Sequence, residues 1–416
     1  MSASRKPVEL QFWVMPNAGF ETRHILRHLL DRFHKTHPNI RVTPEVFPWS
    51  VAWDRLMNVI KDGRGPLCPD VFQIGSTWTC TLAFLGALRE LTPRLGEIDR
   101  DNFIPTVFES CYLPHTRKLY ALPWFIDLRV LYYRRDVLRA AGLGPEALET
   151  WDSFRRSCRL LSKKYRRKNL YTLALSLQKG EVLIHDLAPW IWGAGGSFLT
   201  ADEKHASFHR EDSLEGLRCF FSLMEDGSIP LFGRDRFSSG NFFSGHAAFQ
   251  FSGAWPLNSA FKKGHPLYQP EVAENFGAVP FPLGPAGRFT FLGGSHLAVS
   301  AMSRHPEESW SLVRFLSTPE AQLNHARAVG TLPCRASEIP ELFGEYPDIG
   351  RVFLESLTYA RILPQIPTLG TVERVFSRCA MDVVKMIVDK GCTPAKLQNR
   401  MADAALETNY ILSLYG

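Results

Sequence analysis

The sequence predicts an α/β fold built from two lobes, and three observations support this prediction. Strand and helix patterns alternate between residues 8 and 78, as they do in parallel α/β sheets. A second series of strands and helices begins near Leu119 and continues towards the end of the chain. The chain has 416 residues, of which 45% are hydrophobic and 22% charged, so it is long enough for two or three ordinary globular domains.

The amino-terminal pattern defines the first lobe. Apolar and polar residues alternate over Val8–Val14, which predicts a strand. Ile25, Leu29 and Phe33 recur at helical spacing, so they predict an amphipathic helix. Three further elements follow: a strand from Ile40, a helix over residues 53–60 and a buried strand at Asp70–Ile74. This order predicts a mainly parallel sheet flanked by helices.

The second lobe is predicted to have the same layers. Its expected strands are Leu128–Tyr133, Tyr171–Ser176, Ala247–Phe251 and Phe276–Pro280. Helical stripes lie between them, at Trp151–Tyr165 and Leu214–Met224, and again near the end of the chain, at Val375–Ile387 and from Pro394. We expect one lobe to comprise 1–117 with 281–328 and the other 118–280 with 329–416, with hinge crossings near 112–120, 280–295 and 328–335. A chain that crosses in this way leaves a central cleft, where small ligands prefer to bind.

Composition and motifs exclude several classes of function. The net charge of +6 is too small to indicate bulk attraction to nucleic acid, and no stretch is apolar enough for a membrane span. The eight cysteines are scattered without a C-x-x-C pair, which argues against a zinc ribbon or a thioredoxin-type site. They are expected to be mostly buried thiols, with one or two disulfides if the protein is exported. Phosphate-loop, dinucleotide-binding and serine-hydrolase motifs are absent.

Two charged features have ordinary explanations. His24 and His28 have the i, i+4 spacing of a metal pair, but zinc normally needs three or four ligands, so a solvated helix face is favoured. The basic run from Arg155 to Lys168 surrounds an apolar helical stripe, which also predicts a solvated face. Docking of this run to an acidic partner or to nucleic acid stays open.

Polar residues and tryptophans gather where predicted strands begin or end. Ligands of parallel α/β sheets bind beyond the carboxyl ends of strands. Flat indoles can cover the apolar face of a sugar ring, while amides and carboxylates bind its hydroxyl rim. The candidates from this reasoning are Asn17, Trp49, Ser76, Thr77, Trp78, Trp124, Asp127, Trp190, Trp255, Gly294 and Ser295. The set favours a neutral polyol as the ligand.

The chain also resembles a known family over nearly its whole length. The motifs are Phe33 with His37-Pro38-Asn39-Ile40-Arg41-Val42, Pro69-Asp70-Val71, Gly86–Leu91, Leu131–Leu138 with Ala141-Gly142-Leu143 and Thr150-Trp151-Asp152, Gly195-Gly196, Phe243–Ala248 with Ser252–Trp255, Gly277–Pro280, and Gly330–Pro333. Their order and spacing are similar to those of the extracellular solute-binding proteins of ABC sugar importers, of the maltose-binding type. The resemblance implies a hinged two-lobe fold of the periplasmic binding protein type II.

The resemblance also assigns roles to individual residues. Asp127 matches a ligand-contacting carboxylate, Trp255 a stacking tryptophan, and His185 lies close to a ligand-contacting tyrosine. Asn17 and Thr77 fall near positions that are acidic in the family. Glu373 stands where another stacking tryptophan is expected, and Trp78 replaces a charged residue. Arg335, just after the Gly330–Pro333 motif, is a further candidate. These departures imply a sugar other than maltose.

The function implied by this resemblance is that of a receptor without catalytic residues, metal or cofactor. It would bind a mono- or oligosaccharide in the interlobe cleft, close, and deliver the sugar to the permease subunits of an ABC transporter. We expect a periplasmic or extracytoplasmic monomer whose export signal has been removed. Three alternatives stay open: a same-fold binder of a non-sugar solute, a secreted carbohydrate-active enzyme, and an interaction module that uses the basic helix.

Overall fold

The computed structural model describes residues 6–17, 21–62, 68–165, 170–175, 184–230, 242–258, 261–266 and 268–414. The strands are β1 (Val8–Val14), β2 (Ile40–Val46), β3 (Val71–Gly75), β4 (Tyr112–Leu113), β5 (Lys118–Leu119), β6 (Leu122–Leu128), β7 (Val130–Arg134), β8 (Tyr171–Ala174), β9 (Ala247–Ser252), β10 (Phe276–Val279), β11 (Thr290–Val299) and β12 (Ala360–Arg361). The helices are α1 (Thr22–Thr36), α2 (Trp49–Asp62), α3 (Thr79–Phe84), α4 (Pro105–Glu109), α5 (Arg135–Ala140), α6 (Trp151–Tyr165), α7 (Ile184–Gly193), α8 (Glu211–Glu225), α9 (Pro270–Asn275), α10 (Pro306–Leu316), α11 (Pro319–Val329), α12 (Ile339–Leu342), α13 (Pro347–Leu357), α14 (Leu369–Val388) and α15 (Pro394–Ser413).

The chain divides into two compact units. Unit 1 comprises Met1–Asp127, Gly293–Gly344 and Gln365–Pro367. Unit 2 comprises Leu128–Leu292, Glu345–Pro364 and Thr368–Gly416. Each unit combines a sheet with helices, so the predicted α/β fold is confirmed.

The sheet of unit 1 is built around β3, which is buried along its whole length. β1 pairs in parallel with both β2 and β3, and β11 adds to the other side of β3 in the antiparallel direction. A strand buried on both faces needs helices above and below it, which explains its apolar sequence. The predicted first strand and helix agree with β1 and α1. Leu29 and Phe33 of the predicted stripe are buried, whereas Ile25 is half-buried and its neighbour Leu26 is buried.

The sheet of unit 2 has the order β10-β7-β9-β8. β8 and β9 are parallel, whereas β7 runs antiparallel to both β9 and β10. This sheet is therefore mixed, where a mainly parallel one was expected. Residue alternation predicts that a strand exists but carries no information about its direction. The predicted stripe of α6 is buried through Phe154, Cys158 and Leu161.

The unit boundaries differ from the expected crossings near 112–120 and 328–335. The chain leaves unit 1 only after Asp127 and later stays in it as far as Gly344. The reason is pairing: β6 pairs with β11, and the N–H of Ile126 donates to the carbonyl of Leu332 over 2.9 Å. These bonds hold both segments to the sheet of unit 1.

Within the described part of the chain, no helix is long and apolar enough to cross a membrane. All eight cysteines are free thiols, and Cys111, Cys158 and Cys334 are among the fully buried ones. Burial raises the pKa of each of these three thiols. The expectation of mostly buried thiols is therefore confirmed.

Candidate functional site

Gln73 joins two of the predicted ligand residues in unit 1. It lies on β3 and is 1% exposed. Its Nε2 donates to Oδ1 of Asn17 over 3.1 Å and to Oγ of Ser295 over 2.9 Å, while its Oε1 accepts from the N–H of Met15 over 2.9 Å. Asn17 follows the end of β1 and Ser295 lies on β11, and these two strands flank β3. The fold thus brings these predicted residues to one point.

Trp49 and Trp78 are also brought together, with Trp53 as a third member. The ring centroids of Trp78 lie 5.7 Å from Trp49 and 5.4 Å from Trp53, and both pairs meet edge to face. All three indoles are half-buried, so each keeps an accessible surface. Ser76 and Thr77, just before Trp78 in the turn after β3, are buried and half-buried respectively. We name Trp49, Trp53 and Trp78 the tryptophan cluster.

Trp124 and Trp190 were predicted as ligand contacts, and the structure places both in the core. Neither indole has any exposed surface. Trp124 packs against Phe12 and stacks on His325 at 4.3 Å. Trp190 is enclosed by aromatic neighbours: Trp151, Phe154, Phe220, Phe251 and Phe281. Each lies inside a regular element, β6 or α7, where side chains fill the interior.

Arg335 is likewise a structural residue of unit 1. Its side chain is buried, with the residue 3% exposed, and it lies 4.0 Å from the ring centroid of Phe103. Its guanidinium donates to Oε1 of Gln322 over 2.9 Å and to the carbonyl of Ser317 over 3.1 Å. These bonds fix the segment after α11, which corrects the prediction that Arg335 contacts the ligand.

Gly294 has a packing role. Its φ is +145°, and a Cβ there would lie 2.2 Å from the carbonyl oxygen of Phe125 and 2.8 Å from Cα of Ile126. Only glycine permits this approach of β11 to β6. Gly294 therefore sets the position of its neighbour Ser295. Asp127 lies near the end of β6, the strand that pairs with β11, and it is half-buried.

Trp255 is the best-defined aromatic candidate of unit 2. The indole is half-buried, and the guanidinium carbon of Arg129 lies 5.0 Å from its centroid, a cation–π distance. A Cβ on Gly253 would lie 2.0 Å from Cζ3 of Trp255, so the ring rests directly on that glycine. The hydroxyl of Tyr132 donates to the carbonyl of Gly253 over 3.1 Å and holds it.

His185 and Glu373 are half-buried residues of unit 2. The ring of His185 stacks on Phe291 with centroids 4.8 Å apart and planes 20° from parallel. Oε1 of Glu373 is buried and has no hydrogen-bond partner among the described residues. Burial raises the pKa of Glu373 to about 7. A carboxyl with this pKa is partly protonated at neutral pH, so it can donate as well as accept a hydrogen bond.

Among the described residues, the two charged features of the sequence have ordinary surroundings. His24 and His28 approach to 3.0 Å between their Nε2 atoms on an exposed face, and no group of three metal-ligating side chains exists in the described ranges. On α6, Arg159 pairs with Asp226 over 3.1 Å. Arg166, Arg167 and Lys168 lie outside the described residues.

Sequence reasoning missed Gln73, Trp53, Arg129 and Gly253 as parts of these sites. Two of them carried a usable signal. Gln73 is a lone amide in an otherwise apolar buried strand, and such a group needs partners. Trp53 follows Trp49 by one helical turn and so shares its face. Arg129 and Gly253 gave no sequence signal, because their roles depend on where Trp255 lies.

The family can now be established by comparison. The sequence model of the family described as bacterial extracellular solute-binding protein matches residues 22–323. The chain belongs to this family. A probable ABC transporter-binding protein of Deinococcus radiodurans is 27% identical over 266 residues, covering 62% of this chain and 57% of that protein. The match thus spans little more than half the length of that relative.

Two further comparisons concern one related protein and one solved structure. The diacetylchitobiose-binding protein DasA of Streptomyces coelicolor is 24% identical over 299 residues, covering 70% of this chain and 66% of that protein. The GacH receptor of Streptomyces glaucescens, solved unliganded and with acarbose, superimposes with a TM-score of 0.81 at 20% identity. That match covers 99% of this chain and all of the other, and it shows that the two share a fold.

Proposed function

We propose that this solute-binding protein is the sugar receptor of an ABC importer. The observation that carries the proposal is the tryptophan cluster, which presents accessible indole surface in the same unit as the hydrogen-bonded trio of Asn17, Gln73 and Ser295. Indoles cover the apolar face of a sugar ring, and amide and hydroxyl groups bind its hydroxyls. The sugar ligands named for DasA and GacH support the same reading.

The contacts we assign come from both units. From unit 1 they are Asn17, Ser76, Thr77, Asp127, Ser295 and the tryptophan cluster. From unit 2 they are His185, Trp255 and Glu373. We infer that one sugar uses both sets and thereby shifts the protein to the conformation that the permease recognises. The assigned contacts exclude four residues that support the fold, namely Trp124, Trp190, Gly294 and Arg335.

We further propose that the sugar is bound and released unchanged. The family to which the chain belongs is described as solute-binding, which supports binding without cleavage. The protein would act as a monomer outside the cytoplasm, without cofactor, and its partners would be the sugar and the permease subunits in the membrane.

A ligand screen tests this function. Mono- and oligosaccharides, and separately amino acids, polyamines and phosphate esters, are added to the purified protein. The melting temperature is followed, because a ligand that binds only the folded state raises it. Isothermal titration calorimetry then measures the affinity, and chromatography of the recovered sugar detects any cleavage. We expect at least one saccharide to bind and to be recovered intact. Binding restricted to amino acids, polyamines or phosphate esters would overturn the sugar assignment, and cleavage products would overturn the receptor assignment.

A further inference from the structure

The hydrogen bonds around Gln73 have a fixed direction. The backbone N–H of Met15 can only donate, so the atom of Gln73 that faces it over 2.9 Å must be the oxygen Oε1. The amide nitrogen Nε2 therefore faces Asn17 and Ser295. Because Nε2 only donates, both of these residues must accept from it. The fold, through one backbone group, thus sets the orientation of three side chains.

The hydrogen-bonding groups that Asn17 and Ser295 do not use toward Gln73 are therefore donors. Oδ1 of Asn17 is occupied by Gln73, which turns Nδ2 away from Gln73. Nδ2 is buried and has no hydrogen-bond partner among the described residues. The hydroxyl of Ser295 accepts from Gln73 and keeps its own proton available to donate. A buried N–H without an acceptor is costly, and an acceptor supplied by a ligand removes that cost.

We propose that Gln73 is a positioning residue that makes this end of the unit 1 sheet a donor site. The ligand group bound here carries an acceptor oxygen, such as that of an acetamido or hydroxyl group, and a sugar that places an ammonium group here is rejected. This inference rests on the proposed sugar-binding function. Asn17 stands near a position that the family resemblance makes acidic, so the donor character is a property of this chain.

The first test examines the assigned hydrogen-bond directions and needs no ligand. Asn17→Asp keeps an oxygen facing Gln73, and Gln73→Glu lets the amide of Asn17 flip and donate instead. Each single variant should therefore keep a hydrogen bond between the two side chains, with a lower Tm for Gln73→Glu because it buries a carboxylate. In the double variant two carboxylates face each other without a donor. We expect its Tm at neutral pH to fall by about 5 °C or more beyond the sum of the single changes, with recovery as the pH is lowered. Additive Tm changes would overturn the assigned contact.

The second test uses three disaccharides that differ only at C2: N,N′-diacetylchitobiose, cellobiose and chitobiose, which carry acetamido, hydroxyl and amino groups. Calorimetry is done at a pH where the amine is charged. We expect the wild type to bind the acetamido or hydroxyl form at least about tenfold more tightly than the ammonium form. Asn17→Asp and Gln73→Glu should each narrow or reverse that ratio. Two results would contradict the proposed donor site. The wild type could bind the ammonium form as tightly as the other two sugars, or the affinity ratio could be unchanged in both variants.

Gln322 provides the matched control. It is also a glutamine of unit 1 that is 1% exposed, and it donates to the carbonyl of Pro123 over 2.7 Å and accepts from Arg335 over 2.9 Å. Gln322→Glu should change Tm and leave the affinity ratio as in the wild type. A wild type that binds none of the three sugars overturns the ligand part of the inference. Binding of other saccharides in the screen then leaves the proposed function intact, so the two failures are distinguishable.

Discussion

Trp255 and the tryptophan cluster differ from Trp124 and Trp190 in one respect, which is where the chain places them. Trp49, Trp78 and Trp255 stand in turns or at first helical positions after a strand, Trp53 lies one helical turn after Trp49, and all four indoles are half-buried. Trp124 lies inside β6 and Trp190 inside α7, and neither has exposed surface. Residues within regular elements face neighbouring layers, whereas residues beyond a strand end keep one face open. A tryptophan that follows a strand end is therefore a better ligand candidate than one in the middle of a buried strand or helix.

The largest expected effect concerns the core group. Trp190→Ala should lower the free energy of unfolding by about 3–5 kcal/mol, because it removes a large side chain from an aromatic cluster that cannot collapse fully. Chemical denaturation of the variant and the wild type measures this loss. A loss below about 1 kcal/mol would mean that Trp190 is not a core residue and would break the comparison.

The pH dependence of stability probes the same interior. Burial lowers the pKa of both His296 and His325 to about 3, and His325 stacks on Trp124. Both stay neutral in the folded protein while they take up protons near pH 6.5 when unfolded. Their stabilisation is therefore complete above pH 6.5 and is lost as the pH falls towards 3. Burial also raises the pKa of Glu338 and Glu373 to about 7, and these carboxyls act in the opposite direction. The test is therefore a difference: between pH 7 and 5, the free energy of unfolding of the wild type should decrease relative to that of His325→Gln.

Trp255→Ala tests the other group. The indole is half-buried, so its removal should cost about 1 kcal/mol of stability or less, while sugar affinity should fall about tenfold or more. Calorimetry measures the affinity, and denaturation the stability. The opposite result, a large loss of stability with unchanged sugar affinity, would show that Trp255 is a core residue and not a ligand contact.

The smallest expected effect is at Gly253. Gly253→Ala would push a methyl group against the ring of Trp255 and displace it, since a Cβ there would lie 2.0 Å from Cζ3. Affinity should fall by a few-fold, less than for Trp255→Ala. Gly96→Ala is the control, because a Cβ at Gly96 meets no atom within 4 Å. Equal affinity in the Gly253 variant and the control would show that the ring position does not matter for binding.

The sequence was most informative about local periodicity. It predicted β1, α1, β3 and the buried stripe of α6, because alternation and helical spacing report directly on which face is buried. It did not predict the direction of β7, or that β6 and the segment around Leu332 stay with unit 1. Those features depend on pairing between residues far apart in the chain.

The candidate site was predicted unevenly for a related reason. Asn17, Trp49 and Trp78 became candidates because strand ends are visible in the sequence. Ser295 was expected at the start of a strand, whereas it lies within β11. Gln73 was missed although it connects Asn17 with Ser295, since its importance lies in two bonds to other strands. Arg335 was a candidate because it directly follows the Gly330–Pro333 motif, and its buried bond to Gln322, on another helix, was not foreseeable.

The most direct test of the account compares Trp78→Ala and Trp255→Ala by isothermal titration calorimetry with the saccharide that raises the melting temperature most. The two residues belong to different units, and neither is part of the core. The account predicts that each variant stays folded and binds that saccharide at least about tenfold more weakly than the wild type. Wild-type affinity in both variants would contradict the claim that exposed indoles of the two units bind a sugar.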